Sequence, residues 1–240
     1  MTRLIILPLI FMFASLALWT MIYSAPGSIF LRGPYDENFW ELPGKFDNFT
    51  LLTEKLRYYK RDHYNYIVLL FILTYIYKQT FAIPGSFFLN IIAGILFEFW
   101  TGFLLVCVLS TIGSTFCYLI SQLFGREYVL YYFGEKVTYL QQKIDSNSNY
   151  LLPFLLFVRM FPISPSWMFN IVAPFLNIPV SIFLFSAFIG LAPYNFICVQ
   201  AGCIISELKN WRDIFDTKTV LKLTSFAFIP IAYAFFIKPI

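Results

Sequence analysis

The sequence predicts an all-α integral membrane protein containing two copies of one unit: a hydrophobic segment interrupted by proline or glycine, followed by a full-length helix. Three observations predict it. Of 240 residues, 59% are hydrophobic and 12% charged, with mean hydropathy +0.71, whereas soluble domains carry about 25% charged residues. Apolar runs long enough to cross a bilayer alternate with runs that prolines break. Finally, Arg159 stands inside one of the broken runs. A guanidinium at membrane depth costs roughly 2.5 to more than 10 kcal/mol unless it pairs, snorkels or faces water. Broken backbone there must likewise be buried in protein or line a wet cavity. A polar path inside the bilayer accommodates both, which makes transport the first hypothesis.

Taken in order, Leu4 to Tyr23 follows Arg3 and is long enough to span. Tyr23-Ser24-Ala25 resembles a cleavage site, but signal-peptide cores run about 7–15 residues, so residues 1–24 read as a signal anchor. Residues 25–63 are polar, with six Lys/Arg and six Asp/Glu. Their first half, rich in Gly and Pro, reads as loop. From about Phe49 the pattern is helical and runs on into a short hydrophobic segment, Tyr64 to Tyr77, that ends at Lys78-Gln79.

The first broken run, about 81–100, is interrupted by Pro84-Gly85-Ser86 and later by Gly94 and Glu98. A long span, Gly102 to Phe124, follows. An amphipathic connector occupies 126–149. The second broken run, about 151–178, carries Pro153, Pro162, Pro165 and Pro174 and leads into a long span, Pro179 to Ile205. A connector and a final span close the chain over 207–240. Interrupted segments at corresponding places in two halves are the sequence sign of an inverted-repeat transporter with its path at the repeat interface. Prolines that are simply commoner in membrane helices are the competing reading.

Several residues are candidates for that path. Arg159 fits two roles: bonding the carbonyls that Pro162 and Pro165 release, or gripping a phosphate through parallel hydrogen bonds. Glu98, flanked by Phe97, Phe99 and Trp100, reads as the end of a hairpin at the membrane interface, with a coupling role or an ion pair to Arg159 as the alternatives. Lys78 reads as a snorkelling residue at a helix end. Asn170, close to Pro165 and Pro174, is assigned to the path. Asn90, Asn195 and Gln200 are further amides in apolar surroundings. Interhelical hydrogen bonds are the plain explanation for them and, for Asn195 and Gln200, the better one. Asn195 is kept beside Lys78 and Glu98 as a candidate polar partner of the path. Ser110, Ser114, Cys117 and Ser121 form a small-residue face on one long span, and Ala187, Gly190 and Tyr194 another; both read as packing faces.

Other functions are excluded or disfavoured. The net charge of +4 is dispersed, without a basic block for nucleic acid. Cys107, Cys117, Cys198 and Cys203 all lie in apolar runs without metal-ligand spacing. The sole histidine, His63, has no partners for acid–base work, and no phosphate loop, nucleophile elbow or paired-carboxylate motif is present. No enzyme, metal or cofactor is therefore expected. Asn48-Phe49-Thr50 is a glycosylation acceptor pattern whose use would place 25–63 in the lumen. Connectors 126–149 and 206–218 each balance three positive against three negative residues, so loop charge does not fix the orientation.

A family resemblance rests on Tyr77-Lys78-Gln79 with Phe81-Ala82-Ile83-Pro84-Gly85-Ser86, and on Cys117-Tyr118-Leu119 with Gly125. It continues through Phe157-Val158-Arg159-Met160-Phe161-Pro162 with Pro165, Trp167 and Asn170, then Ala173-Pro174 and Asn177-Ile178-Pro179. Ile189-Gly190 and Pro193-Tyr194-Asn195-Phe196-Ile197-Cys198-Val199-Gln200 complete the set. Over about 64–206 the chain resembles the VTT-domain or DedA-like (SNARE-associated Golgi protein-like) family, nearest its transmembrane protein 41 branch in the A-type form. The resemblance implies two opposed re-entrant hairpins with about five transmembrane helices, in the endoplasmic reticulum or early secretory membranes. It also implies ATP-independent phospholipid scrambling that supports lipid distribution, lipoprotein export and autophagosome growth. Membrane phospholipids would be the partners. Pro84 and Gly85 would form the first hairpin break, and Arg159 with Pro162 the second.

One departure matters. Bacterial relatives regarded as proton-coupled tend to carry an acid just after the first Pro-Gly and often a second arginine beyond the hairpin proline. Here Ser86 and Pro165 stand in those places. Passive scrambling gains over a proton-coupled carrier, and a non-transporting trafficking scaffold using 25–63 is the third reading.

Overall fold

The computed structural model describes residues 2–26, 60–145, 151–160 and 166–207, and these are helical with short connections. The elements are α1 (Thr2–Tyr23), α2 (Tyr64–Thr80), α3 (Ser86–Leu96), α4 (Phe99–Phe124), α5 (Arg126–Asp145), α6 (Leu151–Met160), α7 (Ser166–Val172), a 3₁₀ turn (Ala173–Leu176) and α8 (Val180–Glu207). Among the described residues, three helices are long and apolar enough to cross a membrane: Ile6–Tyr23 within α1, α4, and Val180–Ser206 within α8. The final span, the connector beyond 207 and the polar loop with Asn48 lie outside the described residues.

The two broken runs share one plan. Each has a helix (α2 or α6), a five-residue interval, 11 residues of short helix and then a long helix of 26 or 28 residues. Eleven residues rise about 16 Å, roughly half the hydrocarbon thickness, so α3 is too short to span.

The first interval is sharply defined. Ala82 adopts a left-handed conformation (φ 53°); Ile83 N donates to Lys78 O at 3.0 Å and Ala82 N to Gln79 O at 3.3 Å. These paired bonds make a Schellman cap, which normally places glycine where Ala82 stands. Pro84 cannot continue a helix, and Gly85 (φ 111°) turns the chain through a region closed to other residues. Ser86 then begins α3 rather than belonging to the break. Gly94 does not interrupt α3, and Pro153 sits in the first turn of α6, where its missing N–H costs nothing. Helical residues 60–62 are separated from α2 by His63, so that helix does not run directly into the next. The second interval, 161–165, with Pro162 and Pro165, lies outside the described residues.

The described residues form two units. The first holds α1, α2, Ser86, α4 from Cys107, α5, α6, α7, the 3₁₀ turn and α8 to Ala192. Its core joins Tyr118 of α4, Val129, Val137 and Ile144 of α5, Leu155 of α6, Val172, Leu176 and Phe183. The amphipathic connector thus forms a helix, as expected, and buries one stripe. Tyr118 OH donates to Ile178 O at 2.7 Å, holding the chain where it leaves the 3₁₀ turn through left-handed Asn177 (φ 57°). Against α2, α1 packs through Phe11, stacked on Tyr77 (5.9 Å) and edge-on to Phe81 (5.0 Å).

The second unit contains α3 from Phe87, α4 to Val106 and α8 from Pro193. Here α3 and α8 meet backbone to backbone. A Cβ on Gly94 would collide with Val199 O and lie 2.9 Å from Cys203 N, and one on Gly202 would collide with Ile91 O. Cys203 Sγ reaches Gly94 O at 3.3 Å. Close approach of this kind is how helices associate in lipid, where hydrophobicity supplies no drive.

Candidate functional site

The first unit buries a continuous string of polar side chains in apolar surroundings. It starts at the last turn of α2, where Lys78 Nζ donates to Gln79 Oε1 at 3.2 Å and to Ser86 Oγ. Gln79 Nε2 donates to Ser114 Oγ of α4 at 2.9 Å, and Asn170 Nδ2 of α7 donates to the same oxygen at 3.1 Å. Arg159 Nη2 donates to Asn170 Oδ1 at 3.3 Å and Arg159 Nε to Ser186 Oγ of α8 at 3.2 Å. Ser186 passes its own proton to Phe183 O at 2.7 Å. Lys78 is 8% exposed, Arg159 5% and Asn170 1%.

Local structure explains how each member gets there. The Schellman cap fixes the last turn of α2 and hence the directions of Lys78 and Gln79. Two glycines make room for the stems: a Cβ on Gly113 would come within 2.5 Å of Gln79 Cβ, and one on Gly190 within 2.8 Å of Arg159 Cβ. The Arg159 guanidinium lies against the rings of both Phe183 (4.5 Å) and Phe169 (5.4 Å), contacts that contribute about 0.5–2 kcal/mol each depending on desolvation.

The chemistry is unbalanced in one direction. Lysine and arginine bring only donors, and the string contains no acid. The two amide oxygens already accept from the two cations. Among the described residues, Arg159 Nη1 is buried without an acceptor. Burying such a group unmet costs about 1–3 kcal/mol or more. Oxygen acceptors, whether of an anion or of backbone carbonyls, are the chemical complement of such donors. Thr80 Oγ1, also buried without a partner, lies on an apolar crevice of about 400 Å³ lined by Ile10, Ala14, Leu18, Ile76 and Leu119 among others.

The sequence candidates divide accordingly. Arg159, Asn170, Lys78 and Ser86 come together. Lys78 is drawn into the protein rather than reaching outward, and Ser86 is held by that lysine. Pro84 and Gly85 shape the interval before α3 without joining the string. Asn195 is bound elsewhere: Asn90 Nδ2 donates to its Oδ1 at 3.0 Å within the second unit. Glu98 is exposed in the turn between α3 and α4. Pro162, Pro165 and Asn48 lie outside the described residues. Gln79, Ser114 and Ser186 were not singled out for the path; a serine recurring at helical spacing carries the same signal whether it packs or hydrogen-bonds. No group of three or more His, Cys, Asp or Glu able to hold a metal occurs among the described residues.

A buried, donor-rich string beside a capped helix break, in an all-α domain with membrane-length helices, belongs to an integral membrane protein. Comparison with known proteins places it further. The VTT domain family matches residues 83–203. The transmembrane protein 41 homolog of Dictyostelium discoideum is 36% identical over 198 residues, which cover 82% of this chain and 59% of that protein. Transmembrane protein 41B of Xenopus laevis is 35% identical over 82% of this chain and 71% of its own length, and that of Homo sapiens 34% over 82% and 68%. No solved structure gives a significant match. The chain belongs to the VTT-domain family, with the transmembrane protein 41 proteins among its relatives.

Proposed function

We propose that this protein is an ATP-independent phospholipid scramblase of the endoplasmic reticulum or early secretory membranes. The observation that carries the reading is the string that includes Arg159: among the described residues it holds two buried cations, no acid and a guanidinium nitrogen without an acceptor, inside a membrane domain. Carrying a headgroup through bare hydrocarbon costs many kcal/mol, because its hydrogen bonds to water are lost unreplaced. In the mechanism we infer, α3 and the α7–3₁₀ segment are the inner limbs of two re-entrant hairpins. Water and headgroups reach the string within the first unit, while acyl tails stay in the hydrocarbon against apolar faces. Lipids move down their own gradient, so no energy source is needed.

The alternative is a proton-coupled lipid carrier. It needs a group that binds and releases a proton on the path, and Ser86 in the place of the acid disfavours it. Reconstitution of the full chain into liposomes with tail-labelled fluorescent phosphatidylcholine separates these readings. Dithionite bleaches only the outer leaflet unless lipids exchange. Scrambling predicts bleaching of nearly all the label without ATP and without a pH gradient. Bleaching confined to the outer leaflet until a pH gradient is imposed would replace the scramblase by the coupled carrier. Protection of the inner leaflet under both conditions would leave a non-transporting scaffold.

A further inference from the structure

We infer that the string selects phospholipids whose headgroup carries a net negative charge and no balancing ammonium, and that Lys78 is its second anion contact. The inference rests on the scramblase reading and adds the substrate class. Lys78 and Arg159 stand at the two ends of one relay through Gln79, Ser114 and Asn170. A zwitterionic headgroup presents a phosphate and an ammonium or trimethylammonium together. The phosphate finds donors here, but among the described residues the cation finds no carboxylate in the string: none of its members is acidic, and Glu127 and Glu135 of the same unit are exposed on α5. Each amide oxygen already accepts from one of the protein's own cations, so an incoming ammonium there would sit against a like charge. A headgroup with anionic oxygens alone meets Arg159 Nη1, which has no acceptor of its own among the described residues, and the remaining Lys78 protons. Each such bond is charge-assisted and about twice as strong as a neutral one. Like-charge placement also works against the wrong partner, which is how charged sites discriminate.

The test compares two lipids that differ in this property, tail-labelled phosphatidylglycerol and phosphatidylcholine, in matched liposomes containing the full-length protein. Phosphatidylglycerol should cross about tenfold faster, the ratio implied by one charge-assisted bond kept or lost. In Lys78→Gln the ratio should fall toward one, and in Lys78→Arg it should persist. Because the ratio is taken between two lipids on one protein preparation, a variant that folds poorly loses both signals alike. Equal crossing of both lipids by the wild type would overturn the selectivity and leave scrambling intact. An unchanged ratio in Lys78→Gln would remove Lys78 from the site. Crossing of neither lipid would remove the scramblase reading and this inference with it. Inorganic phosphate added on both sides should leave the ratio unchanged; a fall of the phosphatidylglycerol rate to the phosphatidylcholine rate would assign the site to free phosphate instead of a lipid.

Discussion

Asn170 in the first unit and Asn90 in the second hold matching places on the two short helices. When Ser86 is set against Ser166, Asn90 falls on Asn170 and Gln79 on Arg159; when Phe99 is set against Val180, Ser114 falls on Asn195. Each asparagine donates its Nδ2 to the matching position on the long helix of the other copy, Asn170 to Ser114 and Asn90 to Asn195. The repeat is therefore visible in the hydrogen bonding as well as in the element order. Around that shared contact the two units diverge. The first adds Lys78 and Arg159 and, among the described residues, leaves Arg159 Nη1 without an acceptor. In the second, the neutral amide pair sits beside a glycine-lined helix contact, with its one described lysine, Lys60, at Leu96 O. One architecture thus carries a close helix–helix contact in one unit and a buried, donor-rich string in the other.

The comparison breaks most visibly at the glycines. Gly94→Leu forces a branched side chain into backbone of α8, which cannot yield as a flexible side chain would. Overpacking costs about 1–3 kcal/mol where neighbours give way and more where they do not, so the upper end or beyond is expected. A large fall in the thermal midpoint of the detergent-solubilised protein checks it. A midpoint close to wild type would mean that the close contact in the second unit yields after all.

The two asparagines sharpen the comparison at a smaller scale. Leucine at either position strands a buried partner, at about 1–3 kcal/mol. Both variants should lose stability by similar amounts, read as matching drops in thermal midpoint. Only Asn170→Leu should also slow lipid crossing, by about tenfold or more per functional protein, since it uncouples Arg159 from the relay. Equal slowing by Asn90→Leu, with the folded fraction accounted for, would show that the charge asymmetry does not mark the working half.

What the sequence makes legible follows the same division. Arg159 and Asn170 stand out because polar groups are costly in apolar runs, and Pro84-Gly85 because few backbones tolerate them. Lys78 was misleading: at a helix end, position alone favours outward reach, and only the fold shows the α2 terminus turned inward. Ser114 and Ser186 were hidden because serine is both a small packing residue and a donor, and periodicity does not separate the two. The exchange of partners between copies was hidden as well, since a repeat in sequence says which residues correspond but not which ones touch.

The smallest effect tests how the working half is held. Ala82 occupies the left-handed position of the cap that ends α2, at a strain of about 1–2 kcal/mol that glycine does not incur. Glycine returns part of this by giving the unfolded chain more freedom. Ala82→Gly should therefore stabilise the protein by about 0.5–1 kcal/mol, a rise of a few degrees in thermal midpoint. The carbonyls of Lys78 and Gln79 remain the acceptors of the cap, so their side chains keep their directions and the preference for phosphatidylglycerol should not move. A higher midpoint with an altered lipid ratio would mean that strain at Ala82 is part of the site, holding the last turn of α2 in a geometry that a relaxed cap gives up.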